Sequence, residues 1–300
     1  MNALEVRGLS LEFLMYDGAF SRRRLRVITN LNITAREGEV LAVAGSSGSG
    51  KSLLAHAILG VLPKNAVLGG EMLWFGRPLD ARLQKKLRGR ELAFVPQSVT
   101  YLDPLMRVGR QISRDRRTID ALFDRYHLTS DAKRLYPHEL SGGMTRRILI
   151  SAALAGNPKV IIADEPTPGL SPHLAEHAMK HFREMADAGA AVLLITHDLD
   201  LAVRFADRIA VFYAGTTVET ASARDFEDEK LLRHPYSRAL WRAMPQNSFA
   251  PTPGAQPYAG NLPEGCLYAP RCAMRSPECE AAPPRSREVR GGEVSCLYAS

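Results

Sequence analysis

Eight residues, GSSGSGKS at 45–52, limit what this chain can fold into more than any other stretch. They follow EVLAVAG (39–45), an apolar run of strand character ending in glycine, and lead into a segment that reads as a helix from about Gly50 to Gly60. The pattern G-x-x-x-x-G-K-[ST] between a strand and a helix is that of a phosphate-binding loop. Glycines let the backbone turn tightly so that its amides face phosphate oxygens, and the helix start adds partial positive charge. Gly45, Ser46, Ser47, Gly48, Ser49 and Gly50 form the cradle, Lys51 reaches the β- and γ-phosphates, and Ser52 ligates Mg²⁺. A glycine-rich turn that binds nothing is the competing reading, and the full pattern in this setting weighs against it.

The rest of the chain fits an α/β frame. Residues 4–13 and 26–34 read as strands; KVIIAD (159–164), a helical stretch at 172–189, AVLLIT (191–196), DLAVRFA (200–206) and RIAVFY (208–213) then alternate strand and helix. Such alternation implies a mainly parallel sheet covered on both faces. A helical block at 108–156 interrupts it, and a proline- and glycine-rich run from Met244 to Gly265 reads as a linker. KVIIADEPT (159–167) delivers Asp164 and Glu165 to the C-terminal edge of a strand, where ligands of parallel sheets collect. With Asp164 in the Mg²⁺ shell beside Ser52, Glu165 is left to polarise the attacking water as general base. Acidic pairs also cap helices, so this one takes its meaning from the phosphate loop.

Composition narrows the function classes. At 300 residues, 45% hydrophobic and 24% charged, the chain suits one large domain plus an appendage. The formal net charge is +7, but apart from SRRRLR at 21–26 the basic residues are dispersed, and no nucleic-acid partner is expected. MNALEVRGLSLEF alternates like a strand and lacks the apolar core of a signal peptide, and the longest apolar runs fall short of the roughly 20 residues that cross a bilayer. The expectation is a cytosolic protein whose membrane role comes through a partner. Its four cysteines are then unlike disulfides and point to metal binding or plain burial.

LSGGM (140–144), between the helical block and the acidic-ended strand, resembles the signature of the ATP-binding subunits of ABC transporters. The resemblance implies a P-loop ATPase fold: a RecA-like parallel core sheet, an N-terminal antiparallel β subdomain and an inserted α-helical subdomain at about 98–156. It also implies that Ser141, Gly142 and Gly143 open a helix onto the γ-phosphate held by a partner subunit, so that ATP is sandwiched in a head-to-tail dimer. Gln97 in FVPQS matches the glutamine that reaches the metal or water and couples the site to the membrane subunits. His197 in LLITHD matches the histidine that contacts γ-phosphate, and Phe13 matches the aromatic that stacks on adenine, with Tyr16 and Phe20 as competitors.

YLDPLMRVG (101–109), YPHELSGGM (136–144) and HPYSRALWRAMP (234–245) resemble the branch that imports oligopeptides, dipeptides and nickel. The ATPase domain is expected over 1–245, a linker over 246–265 and a four-cysteine segment over 266–300. Cys266, Cys272, Cys279 and Cys296 are spaced C-x5-C-x6-C-x16-C, and four thiolates suit one tetrahedral metal or one cluster. The branch implies a [4Fe-4S] cluster in preference to zinc. It also implies partners: a second, different ATPase chain, two transmembrane permease subunits and an extracytoplasmic solute-binding protein, with this chain peripheral on the cytoplasmic side. Peptides and nickel complexes both remain open as solutes. The ATPase of an exporter and a soluble ABC ATPase share the catalytic set, and the HPYSRALWRAMP segment and cysteine tail speak against them. Three departures stand out: Ser171 replaces a usual aspartate, Arg146 replaces a frequent glutamine, and the helical block is short after Arg110.

Overall fold

The computed structural model describes residues 1–16 and 22–299. The chain opens with two long antiparallel strands, β1 (Asn2–Tyr16) and β2 (Arg22–Arg36), then β3 (Val40–Gly45) and α1 (Lys51–Leu59). β4 (Ala66–Trp74), β5 (Arg77–Pro78), α2 (Ala81–Leu87) and β6 (Leu92–Val95) follow, and α3 (Val108–Ile112), α4 (Arg116–Arg125) and α5 (Gly142–Leu154) make the helical interruption. The α/β alternation resumes with β7 (Val160–Asp164), α6 (Pro172–Asp187), β8 (Ala191–Ile195), α7 (Leu199–Phe205), β9 (Arg208–Tyr213) and β10 (Thr216–Ser222). α8 (Pro235–Ala243), α9 (Pro277–Ala281), β11 (Arg287–Val289) and β12 (Gly292–Val294) complete the chain.

The strand order is β5-β4-β1-β2-β10-β9-β3-β8-β7-β6. β6, β7, β8, β3 and β9 are mutually parallel, whereas β1, β2, β4 and β5 pair antiparallel. The expected parallel core and N-terminal antiparallel layer are therefore both present. β3, β7 and β8 are buried along their whole lengths, which is why they read as unbroken apolar runs. Their side chains alternate between two cores. Val40, Ala42, Ala44, Val192 and Leu194 pack against α5, α6 and α7, while Leu41, Val43, Leu193 and Ile195 face α1 and the antiparallel strands.

Local chemistry sets the helix ends that matter for function. α1 is bounded by Gly50 (φ 98°) and Gly60 (φ 66°), both left-handed, and a side chain at either would be strained. α5 starts at Ser141, whose hydroxyl accepts from the Met144 amide. α6 starts with Pro172 directly after Ser171, the residue that stands where the family has aspartate, and Ser171 makes no side-chain cap. Its buried Ala178, Phe182 and Ala186 repeat at helical spacing against the sheet.

The C-terminal residues are built into this core. β12 pairs antiparallel with β10, and β11 pairs with β12. Arg233, 4% exposed, donates to Glu219, to Asp225 and to the carbonyls of Val289 and Arg290, so one buried guanidinium ties the terminal hairpin to the sheet. Because every charge there has a partner, the burial is tolerated.

Candidate functional site

The phosphate loop leaves β3 at Gly45, where a Cβ would lie 2.3 Å from the Phe212 carbonyl oxygen, so only glycine fits. Gly48 (φ 77°) and Gly50 complete the turn into α1. Lys51, 9% exposed, donates from Nζ to the carbonyls of Gly45 (2.8 Å) and Ser46 (3.0 Å), spanning the mouth of its own loop. Burial lowers its pKa, and the charges of Glu165 and Asp164 oppose that shift.

Asp164 ends β7 with 3% exposure, and its Oδ1 has no hydrogen-bond partner. Burial raises its pKa; a hydrogen bond from Ser52 works the other way and the neighbouring Glu165 adds to the rise. A buried carboxylate oxygen without a donor, beside a serine hydroxyl at a helix start, is a donor set suited to Mg²⁺. Glu165 sits at φ 47°, an uncommon conformation for a non-glycine residue, fixed by its amide bond to the Ile195 carbonyl at 2.9 Å. Its Oε1 lies 2.8 Å from His197 Nδ1, and its buried Oε2 has no partner. The His197 side chain is 70% exposed, so the pair opens to solvent on the side where a nucleotide would arrive.

Gln97 lies exposed just past β6, and its carbonyl accepts from Arg146 at 2.6 Å, as does that of Pro96. Arg146 on α5 is buried, its Nε has no partner, and it lies within the field of Asp164 and Glu165. The residue that departs from the family pattern thus grips the glutamine loop from the signature helix. Phe13 is half-buried against the core that α1 and the antiparallel strands share, opposite Leu25 and Ala66. Tyr16 is 76% exposed, and Phe20 lies outside the described residues.

Lys51, Ser52, Asp164, Glu165 and His197 come together. Ser141 and Gly142 do not join them: both are exposed at the start of α5, and nothing lies within 4 Å of where a Gly142 Cβ would be. Sequence reasoning missed Tyr236 and Gln256. The Tyr236 hydroxyl accepts from the Ser46 amide at 3.2 Å, and the Ser46 hydroxyl donates to Gln256 Oε1 at 2.6 Å. Tyr236 lies in the HPYSRALWRAMP segment that pointed to the branch, whereas Gln256 carried no signal.

All four cysteines are free thiols that line one small, largely apolar pocket with Tyr268 and Met274. Burial raises the pKa of Cys266, Cys272 and Cys296, and each feels at least one other cysteine of the set. Among the described residues no three His, Cys, Asp or Glu side chains are close enough to hold a metal ion.

A phosphate loop on a parallel sheet, followed by two carboxylates at the end of β7 and a histidine just past β8, defines a P-loop nucleotide hydrolase. Residues 28–168 match the ABC transporter family, and residues 218–279 match the oligopeptide/dipeptide transporter C-terminal region. A putative peptide import ATP-binding protein of Brucella melitensis biotype 1 is 36% identical over 97% of this chain and 93% of its own length. The oligopeptide transport ATP-binding protein OppD of Escherichia coli (strain K12) is 33% identical over 98% and 92%. An ATP-binding cassette solved as a dimer in a post-hydrolysis state with ADP and Pi superposes with a TM-score of 0.65 at 25% identity, over 74% of this chain and 99% of that one. This chain belongs to the ABC transporter family.

Proposed function

We propose that the chain is the ATP-hydrolysing subunit of a membrane importer for peptides. The observation that carries the chemistry is the Glu165–His197 pair beside the unpartnered Asp164 oxygen. The peptide assignment draws support from the C-terminal region match and from the names of the relatives. Gly45 to Ser52 bind the phosphates of ATP, with Lys51 turning from its own carbonyls to the β- and γ-phosphates. Ser52, Asp164 and Gln97 hold Mg²⁺, which when bound neutralises phosphate charge. Glu165 accepts the proton of the attacking water at its carboxylate, and His197 keeps that carboxylate oriented through Nδ1. Phe13 supports the adenine.

Ser141, Gly142 and Gly143 face the nucleotide of a second, different ATPase chain. Of two permease subunits, one sits against the cavity of about 510 Å³ between the helical block and the core, beside the Gln97 loop, where Tyr101 (57%) and Leu105 (87%) stand exposed. Among the described residues no helix is long and apolar enough to cross a membrane, so attachment runs through those subunits. A solute-binding protein on the far side delivers the peptide. Within this division, 1–245 is the ATPase domain, 246–265 a connecting segment and 266–300 the cysteine segment.

The cysteine pocket takes a [4Fe-4S] cluster. What supports this is that the four free thiols line one small pocket, a ligand set that suits a cluster. About four irons per chain and a visible absorption band after anaerobic purification are expected; stoichiometric zinc without iron would contradict the cluster.

The decisive experiment on the chemistry is Glu165→Gln in the assembled transporter. ATP binding should persist while phosphate release falls by about 10²–10⁴-fold, the usual contribution of a general base. Undiminished turnover would remove Glu165 from that role.

A further inference from the structure

The phosphate loop is braced from outside by a segment two hundred residues downstream. Residues 246–265 contain no helix or strand, yet they run across the outer side of the loop. Gln256 is the point of contact: Oε1 accepts from the Ser46 hydroxyl at 2.6 Å, and Nε2 donates to the Gly48 carbonyl at 3.4 Å. The segment is pinned on both sides of that residue. Arg271 donates to the carbonyls of Pro253 (3.0 Å) and Thr252 (3.0 Å), with its guanidinium over the rings of Tyr213 and Tyr268. At the other end Arg23 donates to the Gly260 carbonyl at 3.2 Å and lies over the Tyr258 ring.

These contacts act on the part of the cradle least able to hold its own shape. Gly48 and Gly50 are left-handed glycines, so the loop has more backbone freedom to lose on binding than any loop of ordinary residues. Ser46 between them and β3 is held at every polar group: its amide by Tyr236, its hydroxyl by Gln256, and its carbonyl by Lys51 and the Ser49 amide. Fixing donor directions before the ligand arrives lowers the ordering cost of binding.

We propose that residues 252–260 form a strap that pre-orders the phosphate loop for nucleotide, with Gln256 as its positioning residue and Arg271 as its anchor. Gln256 makes no contact with the reacting atoms; it acts through Ser46 and Gly48. The carboxamide is the group this needs, since it accepts from a hydroxyl and donates to a carbonyl at once. The proposal rests on reading 45–52 as the ATP cradle, and Mg²⁺-ATP binding by the unaltered chain tests that reading separately.

The test is a double-mutant cycle on the full-length chain, read by Mg²⁺-ATP affinity. Gln256→Ala should weaken ATP binding about 5–10-fold while the melting temperature without nucleotide stays within a few degrees. In a Ser46→Ala background the same change should do about half as much or less, because its partner hydroxyl is already gone. Arg271→Ala should reproduce the loss by freeing the strap, and in the assembled transporter Gln256→Ala should raise KM for ATP with kcat unchanged. Unchanged affinity in Gln256→Ala, or full additivity with Ser46→Ala, would overturn the assignment.

Discussion

Two helices of this chain begin with serine and glycine and carry the chemistry of anion binding, but they are finished to different degrees. At the start of α1, Ser49 is 0% and Lys51 9% exposed, and the loop is tied to Phe212, Gly215, Tyr236 and Gln256. At the start of α5, Ser141 and Gly142 are exposed, and among the described residues the partners of Ser141 belong to its own first turn. A helix N-terminus leaves amides unsatisfied, and a protein completes those it uses alone. The closed end is completed within one chain, whereas the open end is the one that the proposed function leaves to a second molecule.

The sharpest way to break this contrast is to crowd the open end. Among the described residues nothing lies within 4 Å of a Cβ at Gly142, so in Gly142→Val ATP binding to α1 and thermal stability should be nearly unchanged. Turnover in the assembled transporter and ATP-dependent dimerisation should fall about 100-fold or more, as expected when transition-state contacts are lost. Normal dimerisation by light scattering would show that the exposed end meets nothing. A second test concerns the tie between the helix of the open end and the Gln97 loop. Arg146→Ala strips two backbone carbonyls of their donors and should cost about 2–4 kcal/mol in urea unfolding. Arg146→Gln, which keeps one donor group, should cost less.

A third test lies in the brace of the closed end. His234 caps α8 through Nδ1, and complete burial pushes its pKa down to about 3. The folded value lies below the unfolded one of about 6.5, so the stabilisation is complete above that pH and declines as pH falls toward 3. The slope is about 1.4 kcal/mol per pH unit. His234→Asn, which retains a capping oxygen, should flatten it in urea titrations between pH 7 and pH 4.

How much of this was legible in the sequence follows from where each element takes its stabilisation. β3, β7 and β8 lie in the sheet centre with both faces buried, so hydrophobicity alone marked their limits to within a residue or two. α1 was bounded by its two glycines. β10, TTVETAS, escaped notice because it is buried yet polar: Thr217 is satisfied by Asn32, and Glu219 by Arg233 and the His234 amide. No local pattern announces such a strand, since its partners come from elsewhere in the chain. The residues proposed for catalysis were readable because phosphate chemistry demands fixed residue types at fixed spacing. Gln256 was not, for a proline- and glycine-rich run reads as a connector whether or not one of its side chains reaches a loop.

The separations of 190 and 210 residues between Ser46 and its partners Tyr236 and Gln256 also set an order of assembly. A chain emerging from the ribosome presents residues 45–52 early, well before β8 and β9, the two strands that pair with β3. The loop stays unbraced until the segment through Arg271 has been synthesised. If the strap pre-orders the loop as proposed, tight nucleotide binding is acquired late in biosynthesis, and a chain cut short before Pro251 carries the whole motif without its contact to Gln256.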